Sequence, residues 1–346
     1  MTKPMRAMSC SAVFILVLAS CTNVPTHQQT GYALKASYPV GGPGRWDLLA
    51  VDPVHHHLLM SRSDHVQVMD TLSGRQVGTL DATDGVHGIE IAPGLAHGYA
   101  SNGRADTVTE FDLATLQRIR DIKVSGHSPD AMIYDSFSGK LFVFNAHSNN
   151  ASVIDPALGK EIALIAFDGN PELAVSDGKG HVFVNIEDKG ELVSIDASSM
   201  QVAQTWALQE CDGPTGLAFD PAHRRLFSAC QNQTMVVTDA NDGHQVARIA
   251  IGEGPDGAVF DQQAQLVFIP NGKSGTLTIA HEDDPDHFRV VQTLATKPGA
   301  RTIAIDPQSH RLYLPAAEYG ASPQDSHKRP EMLPDSFRVL VVANTD

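Results

Sequence analysis

A short pattern of apolar and polar positions recurs seven times along the chain. Each copy has a small residue, an apolar run that usually ends in Asp, a turn, a second apolar run, a polar loop and a third apolar run. The clearest copy begins at Gly213, passes Asp220 and Asp239, and continues into a fourth apolar run at 245–252. Four short strands per repeat predict propeller blades, because one four-stranded blade cannot bury both of its faces alone.

The copies are evenly spaced. Counted from the residue five positions before the first Asp, or before the residue aligned with it, they lie 40, 43, 42, 43, 41 and 45 residues apart. The seven residues at this position are Asp47, His87, Asp130, Glu172, Thr215, Asp256 and Arg301. The spacing predicts an all-β fold, a seven-bladed β-propeller in a single domain that spans residues 32–346.

The two ends of this domain predict how the ring closes. Residues 32–40 match the fourth strand of a blade, whereas the last copy ends on its third strand at 338–343. We therefore expect the N-terminal strand to complete the last blade. Such an overlap covers two sheet edges that would otherwise be open to pairing.

The start of the chain predicts an export signal. A basic beginning precedes a short apolar stretch at 11–18, which is too short to cross a bilayer as a stable helix. Leu18-Ala-Ser-Cys21 resembles a bacterial lipobox, so 1–20 is interpreted as an export signal, Cys21 as a lipidation site and 21–31 as a tether. The alternative is an ordinary cleaved signal with an incidental Cys21. We expect a periplasmic or outer-membrane lipoprotein of the bacterial envelope, with the lipid as its one membrane contact.

Export changes the expectation for the two cysteines of the body, Cys211 and Cys230. In an oxidising compartment such a pair favours a disulfide over a metal clamp. A hairpin turn between Asp220 and Arg225 would set Cys230 opposite Thr215, with Cys211 approaching from the same end. A Cys211–Cys230 disulfide is therefore predicted, and two free thiols are the alternative.

The charge of the chain limits its partners. Lys and Arg number 25 against 40 Asp and Glu, which gives a formal net charge of −15. Such a surface repels phosphate backbones and anionic headgroups, so nucleic acid is disfavoured as a partner. Small cations and basic partners fit better. We expect the chain to act as a monomer.

Several phrases of the sequence resemble one known family. They are Asn185-Ile-Glu-Asp, Cys211-Asp-Gly-Pro-Thr-Gly-Leu-Ala-Phe-Asp, Leu226-Phe-Ser-Ala-Cys, Gly275-Thr-Leu-Thr and Gly299-Ala-Arg-Thr. On these phrases the repeats resemble the YVTN β-propeller repeat, and residues 32–346 resemble exported YncE-like proteins. The resemblance implies an extracytoplasmic seven-bladed propeller, and it implies no settled reaction and no catalytic residue.

Candidate chemistry lies where the first strands of the blades begin, because these starts meet at one mouth of the central channel. Counting the strands of a blade A to D from the axis outward, the B–C loops open beside the same mouth. The candidate ligand-binding residues are Asp47, His87, Asp130, Glu172, Asp256 and Arg301, with Asn145 and Glu187 from B–C loops. Carboxylates suit Ca²⁺, Mg²⁺ or Mn²⁺, and His admits Zn²⁺, so a divalent cation is the one cofactor suggested. The alternative is that these charges only cap the sheet ends in solvent.

Two functions fit this pattern. The first is an exported, lipid-anchored binding or interaction protein, not an enzyme, which uses the mouth face for a small ligand or a protein partner. The second is a metal-dependent hydrolase of lactonase type with the ion at the mouth, which rests on analogy between folds. A long loop of the last blade, at 315–334, is expected on the same face as a lid or a strap.

Overall fold

The computed structural model describes residues 1–2, 31–321 and 330–345. These residues form seven four-stranded antiparallel sheets, and each innermost strand contacts the innermost strands of two neighbouring sheets. The seven-bladed propeller is thereby confirmed. No helix within the described ranges is long and apolar enough to cross a membrane. The predicted export signal, Cys21 and tether fall almost entirely outside these ranges.

The chain enters the fold with β1 (Tyr32–Pro39), which belongs to blade 7. Blades 1–3 follow, and a single 3₁₀ turn, Pro93–Leu95, joins the first two strands of blade 2. Their strands, A to D in each blade, are β2 (Leu49–Asp52), β3 (His57–Arg62), β4 (His65–Asp70), β5 (Gln76–Leu80); β6 (Val86–Ala92), β7 (His97–Asn102), β8 (Thr107–Asp112), β9 (Arg118–Lys123); β10 (Pro129–Asp135), β11 (Lys140–Asn145), β12 (Asn150–Asp155) and β13 (Lys160–Ala166).

Blades 4–6 repeat this order, and a 3₁₀ turn at Glu187–Lys189 forms the B–C loop of blade 4. Blade 7 takes its first three strands from the end of the chain. The strands are β14 (Pro171–Ser176), β15 (His181–Ile186), β16 (Glu191–Asp196), β17 (Gln201–Ala207); β18 (Pro214–Asp220), β19 (Arg225–Cys230), β20 (Thr234–Asp239), β21 (Gln245–Ala250); β22 (Val259–Asp261), β23 (Leu266–Asn271), β24 (Thr276–Asp284), β25 (His287–Ala295); β26 (Ala304–Ile305), β27 (Leu312–Ala316) and β28 (Arg338–Asn344).

The N-terminal strand closes the ring as the sequence predicts. β1 pairs antiparallel with β28, so that Tyr32 lies opposite Asn344. Tyr32 is buried and packs edge-on against Phe268 of blade 6 at 5.0 Å between ring centroids. The Gln292 side chain accepts from the Tyr32 N–H at 3.0 Å and donates to its carbonyl at 2.8 Å. The closing strand is therefore tied to blade 6 as well as to blade 7.

The recurrent Asp residues form turns. Asp220, at the end of β18, accepts the backbone N–H groups of Ala222 at 2.9 Å and His223 at 2.8 Å. This is the arrangement expected of an Asx turn, in which a short carboxylate satisfies backbone donors that the sheet leaves unpaired. Asp52 and Asp261 accept backbone N–H groups in the same way at the ends of β2 and β22.

The core lies between the faces of neighbouring blades. Strands B and C are buried along nearly their whole length, and Phe142 and Val153 of blade 3 pack with Val184 of blade 4 in one apolar cluster. Strands D, at the rim, carry exposed positions. The inner strand ends are therefore mounted on a close-packed frame.

The predicted disulfide is confirmed. Cys211 and Cys230 are bonded, and their Cα atoms lie 5.4 Å apart. Cys230 pairs with Pro214, however, and not with Thr215. The register of β18 and β19 shifts between Pro214 and Leu217, so the ladder places the cysteine one residue away from the position that a regular hairpin predicts.

Candidate functional site

The residues that begin the A strands are held by buried hydroxyl groups. The Ser61 hydroxyl accepts from the Asp47 N–H at 3.1 Å, and Thr302 donates to the Asp47 carbonyl at 2.8 Å. In the next pair of blades Ser101 donates to the Asp130 carbonyl at 2.6 Å. Ser and Thr hydroxyls are carried on short side chains, and these three are buried. Their hydrogen bonds therefore fix the backbone of the mouth before any ligand arrives.

Five of the predicted residues form an arc of alternating charge across blades 6, 7, 1, 2 and 3. Arg301 donates from Nε to Asp256 Oδ2 at 2.6 Å and from a terminal nitrogen to Asp47 Oδ1 at 3.0 Å. His87 Nδ1 lies 2.8 Å from the other Asp47 oxygen and 3.9 Å from Asp130 Oδ2. Asp47 thus accepts from both cationic residues, and the arc runs acid, base, acid, base, acid.

The acids of the arc raise the pKa values of its two basic residues. The hydrogen bond to Asp47 raises the pKa of His87, and the charge of Asp130 adds to this effect. Burial acts to lower the pKa of Arg301, but the charges of Asp47 and Asp256 outweigh it and raise that pKa above its ordinary value. The arc therefore favours the charged form of both residues.

Within the described ranges, two carboxyl groups of the mouth form no hydrogen bond with either basic residue. Burial, and then the charge of Asp47, raises the pKa of Asp130 to about 7, although His87 at 3.9 Å acts to lower it. Burial and the charges of Asp130 and Asp256 raise the pKa of Glu172 to about 10. Neither group forms an ion pair with a described Lys or Arg. Among the aligned residues, the four acids therefore outnumber the two basic residues.

Glu187 joins the acidic side of the mouth from its B–C loop. One amide group links it to Glu172: Asn170 Nδ2 donates to Glu172 Oε1 at 3.4 Å and to Glu187 Oε2 at 3.3 Å. The charge of Glu187 contributes to the raised pKa of Glu172. Sequence reasoning did not find Asn170, whose signal is only its place two residues before the aligned acid.

Asn145 and Thr215 lie apart from this cluster. Asn145 is fully buried and donates to Asn150 at 2.8 Å and to Ser152 at 3.0 Å, so it offers no exposed surface to a ligand. Asn102 makes the same pair of bonds in blade 2, which points to a repeated structural role. Thr215 is also buried, and its hydroxyl donates to the carbonyl of the residue before Asp256.

The acids surround a small cup. A cavity of about 150 Å³ is lined by Asp47, Asp130, Glu172, Asp256 and Arg301 and by the apolar residues Leu48, Ala131 and Leu173. Leu48 comes from blade 1 but packs against the apolar cluster of blades 3 and 4, so it reaches across the channel. The cup is small and acidic, and it suits an ion or one small cationic group.

An aromatic cavity of about 200 Å³ adjoins the cup beside His87 and Arg301. Trp46 and Tyr319 line it, with their rings 5.9 Å apart. Tyr319 belongs to the long loop of blade 7, so the described part of that loop does reach the mouth. Its basic segment, 327–329, lies outside the described residues.

Three ligand atoms at the mouth have a spacing compatible with a metal ion. His87 Nδ1 and one oxygen each of Asp47 and Asp130 lie within 4.8 Å of one another. A Cβ at Gly103 would stand 3.0 Å from His87 Cδ2, so the glycine gives the imidazole its space. One nitrogen and two oxygens with an open side suit Zn²⁺ or Mn²⁺.

One half-buried acid on an innermost strand was missed by sequence reasoning. Glu90 lies on β6, three positions after His87, and accepts the Tyr134 N–H at 3.0 Å. Burial raises the pKa of Glu90 to about 8. The other six blades carry Ala, Ile or Val at this position, so the signal was present in the aligned repeats.

The opposite end of the channel has different chemistry. A cavity of about 640 Å³ lies there among blades 5, 6 and 7, lined by Phe219, Phe260 and Ile305 and by the polar residues Asp261, Gln262, Gln263 and His310. Two of these polar residues form an ion pair, with His310 Nδ1 2.8 Å from Asp261 Oδ2. The acidic cup at one mouth and this mixed cavity at the other thus differ in their chemistry.

Comparison with known proteins identifies the fold. No family model and no curated protein matches the chain. Among solved structures, a chain of Kuenenia stuttgartiensis hydrazine synthase is similar, with a TM-score of 0.70 and 16% sequence identity, over 84% of this chain and 96% of that chain. At this identity the likeness shows a shared propeller fold, and it carries no conclusion about activity.

Proposed function

We propose that the protein is an exported, lipid-anchored YncE-like propeller that binds a small positively charged ligand at the channel mouth. The observation that carries the proposal is the pair Asp130 and Glu172, two carboxyl groups on one cup whose pKa values are raised to about 7 and about 10. A carboxyl group whose charged form is disfavoured by folding is a candidate for function, because the fold itself gains no stability from that charge.

A cation at the cup would reverse this penalty. Like charges that share one cup disfavour each other's ionisation, and the charge of Asp130 contributes to the raised pKa of Glu172. An ion or an ammonium group between Asp130 and Glu172 turns that repulsion into two attractions and allows both groups to ionise. The cavity of about 150 Å³ limits the ligand to a divalent ion or the terminal amine of a larger molecule or partner.

Thermal melting tests the proposal. Protein stripped of metals with a chelator is melted alone, with Ca²⁺, Mg²⁺ or Mn²⁺, and with the diamine putrescine. At least one probe should raise the Tm of the wild type, since a ligand that binds the folded state stabilises it by mass action. Glu172→Gln should lose most of the shift. The exposed Asp81→Asn is the matched control and should keep it. Failure of every probe, or an equal response of Glu172→Gln, overturns the proposal.

A metal-dependent hydrolase is the second candidate, and the cluster of Asp47, His87 and Asp130 favours it. Three protein ligands with an open position are the pattern of catalytic zinc, which lowers the pKa of a bound water to about 7. Zinc-loaded or manganese-loaded protein should then hydrolyse a chromogenic ester or lactone, and Asp130→Asn should abolish the rate. Metal binding without hydrolysis would exclude the hydrolase, and ligand binding would remain as the proposed function.

Export and lipid anchoring form a separate part of the proposal. They are supported by the lipobox-like residues before Cys21 and by the Cys211–Cys230 bond, which is typical of an oxidising compartment. Wild-type protein should fractionate with membranes, and mass spectrometry should find lipid on Cys21. Cys21→Ser should lose the lipid. Wild-type protein that is soluble and begins elsewhere than Cys21 would contradict the anchor.

A further inference from the structure

A second group of ligand-type side chains lies on the face opposite the acidic cup, between blades 5 and 6. Asp220 ends β18, His223 follows in the turn, and Glu282 lies on β24 of the next blade. His223 Nδ1 is 3.0 Å from Asp220 Oδ2 and 3.0 Å from Glu282 Oε1. One oxygen from each acid and this nitrogen lie within 4.8 Å of one another.

Glu282 is an exceptional residue at its position. Its side chain is 0% exposed, and its second oxygen, Oε2, has no hydrogen-bond partner among the residues that the structure describes. A buried carboxylate oxygen without a partner is destabilising unless something compensates it. The same carboxyl group faces His223, so the unpartnered oxygen belongs to the cluster.

The propeller repeat does not require an acid there. In five other blades the residue that follows the end of strand C is uncharged; these residues are Thr71, Leu113, Pro156, Ala197 and Ala240. Blade 6 alone of these six extends its third strand through this position to Asp284, with a carboxylate inside. A departure from the repeat at a buried position is what a site on a symmetric frame would show.

We propose that Asp220, His223 and Glu282 bind one Zn²⁺ ion that joins blades 5 and 6. Zinc takes His nitrogen and carboxylate oxygen at about 2.0–2.2 Å, which places tetrahedral ligand atoms about 3.4 Å apart. The observed separations of 3.0 Å reach this value when the ligands part by a few tenths of an ångström. The imidazole favours zinc over the hard cations Ca²⁺ and Mg²⁺.

The surroundings of the cluster fit such an ion. The backbone N–H groups of Ala222 and His223 hold the Asp220 carboxylate in place, as supporting hydrogen bonds do for metal ligands. The guanidinium of Arg225 is engaged with Asp239 at 2.5 Å and with the Pro285 carbonyl at 2.8 Å, and it forms no ion pair with Glu282 in the described ranges. The His223 side chain is 30% exposed, which leaves the ion a path from solvent.

Blade 1 contains a natural control. His55 Nδ1 lies 2.6 Å from Asp52 in the same kind of turn, but the residue of the next blade that aligns with Glu282 is Leu113. This joint therefore has two possible metal ligands, Asp52 and His55, and a leucine stands where the third ligand would be. The zinc proposal therefore predicts that His55 is dispensable for the site and His223 is not.

The experiment must separate this site from the acidic cup, so it uses Asp130→Asn as background. Chelator-treated Asp130→Asn protein is titrated with Zn²⁺ by calorimetry, and Co²⁺ is used to read ligand geometry from visible absorption. We expect one equivalent of zinc, the intense bands of tetrahedral cobalt and a rise in Tm. Adding Glu282→Gln should abolish all three, and adding His55→Gln should change none.

Two results overturn the zinc proposal. One is an Asp130→Asn protein that binds no zinc, and the other is undiminished zinc binding after Glu282→Gln. Circular dichroism checks that the variants fold. If Glu282→Gln does not fold, His223→Gln takes its place, because that residue is partly exposed and its loss removes a ligand with little effect on the core. The outcome is independent of whether the mouth binds a cation.

Discussion

Arg301 is the residue on which the charge balance of the mouth depends. It lies between Asp47 and Asp256 and donates to both, so it cancels the repulsion that their alignment at one opening would create. Asp130 and Glu172 form no ion pair with Arg301, and their pKa values are raised to about 7 and about 10. Burial also raises the pKa of Asp256, although Arg301 acts to lower it. Among the aligned acids, Asp130 and Glu172 are thus the two without a bond to Arg301.

Replacing Arg301 should therefore destabilise the fold. Arg301→Gln leaves Asp47 and Asp256 without their shared cation, and hydrogen bonds to charged groups contribute about 1.5–3 kcal/mol each. The side chain is 35% exposed, so solvent screening reduces the expected loss to about 1–3 kcal/mol in total. Urea denaturation at pH 7 measures it. Arg104→Gln, at an exposed pair with Asp84, should lose less than about 1 kcal/mol; equal losses would contradict this account.

The two unneutralised acids predict a pH dependence. A carboxyl group whose pKa is raised by folding binds more protons when folded, so the free energy of unfolding falls as pH rises from its unfolded to its folded pKa. This window runs from 3.8 to about 7 for Asp130 and from 4.5 to about 10 for Glu172. Relative to wild type, Asp130→Asn should gain stability up to pH 7 and then level off. Glu172→Gln should gain about 2–3 kcal/mol more between pH 7 and 9.

Urea titrations at pH 4.5, 7 and 9, with metals removed, test this pair. Asp81→Asn serves as the control, since its exposed carboxyl group should show no such trend. The interpretation fails if the stability difference between Glu172→Gln and wild type is the same at all three values.

Among the elements, the innermost strands differ most from blade to blade. β2, β22 and β26 have four residues or fewer and begin after the mouth residue, whereas β10, β14 and β18 begin one residue before it. The long A strands carry a register shift just after the mouth residue, as between Pro129 and Met132. Such irregularities re-aim side chains at sheet ends. They explain why seven aligned residues do not point into the cup alike.

Blade 5 has the one disulfide of the described residues, and its removal should be costly. Cys211 and Cys230 are 19 residues apart and buried. Closing a loop of this length stabilises by about 3 kcal/mol on the chain-entropy model. Cys211→Ala with Cys230→Ala should lose that amount in guanidinium denaturation. Wild type treated with a thiol reductant should match the double variant, and an oxidised wild type no more stable than the variant would contradict the prediction.

At the scale of the whole molecule, closure joins the ends of the chain into one ring. β1 covers the outer edge of β28, and its Tyr32 also reaches blade 6, so eight residues seal both a sheet edge and a joint between blades. A ring has no redundant interface, because each blade needs both neighbours to bury its faces. Damage at the closure should therefore spread beyond blade 7.

Deleting residues 32–39 tests this closure. The exposed edge of β28 and the lost packing of Tyr32 should give a large loss of stability or aggregation, since a single buried Phe or Trp truncated to Ala already costs about 3–5 kcal/mol. Deleting residues 22–30, the predicted tether, should leave the melting curve unchanged. Thermal melting and gel filtration compare both deletions with wild type. If the two melt alike, the closing strand does not have this role.

The sequence by itself determined the seven blades, the closing strand and the disulfide. These depend on information carried along the chain: a period of about 40–45 residues, a missing fourth strand at one end, and two cysteines near the ends of one hairpin. The hairpin also shows the limit of such reasoning, because the shift after Pro214 moved Cys230 by one place in the register. Two further inferences from the sequence stay predictions: that nucleic acid is disfavoured as a partner, and that the chain acts as a monomer.

Only the tertiary structure decided which charges neutralise one another. Arg301 bonds Asp47, 254 residues away; the repeat pattern places both residues at one mouth, but it does not say which acid Arg301 bonds. It also decided that Asn145 is enclosed while Glu172 lines a cup, and that Glu282 meets His223 across a joint between blades. The physical reason is that burial and electrostatic coupling belong to the assembled ring: each depends on which side chain the neighbouring blade places opposite, and that position exists only after the ring has closed.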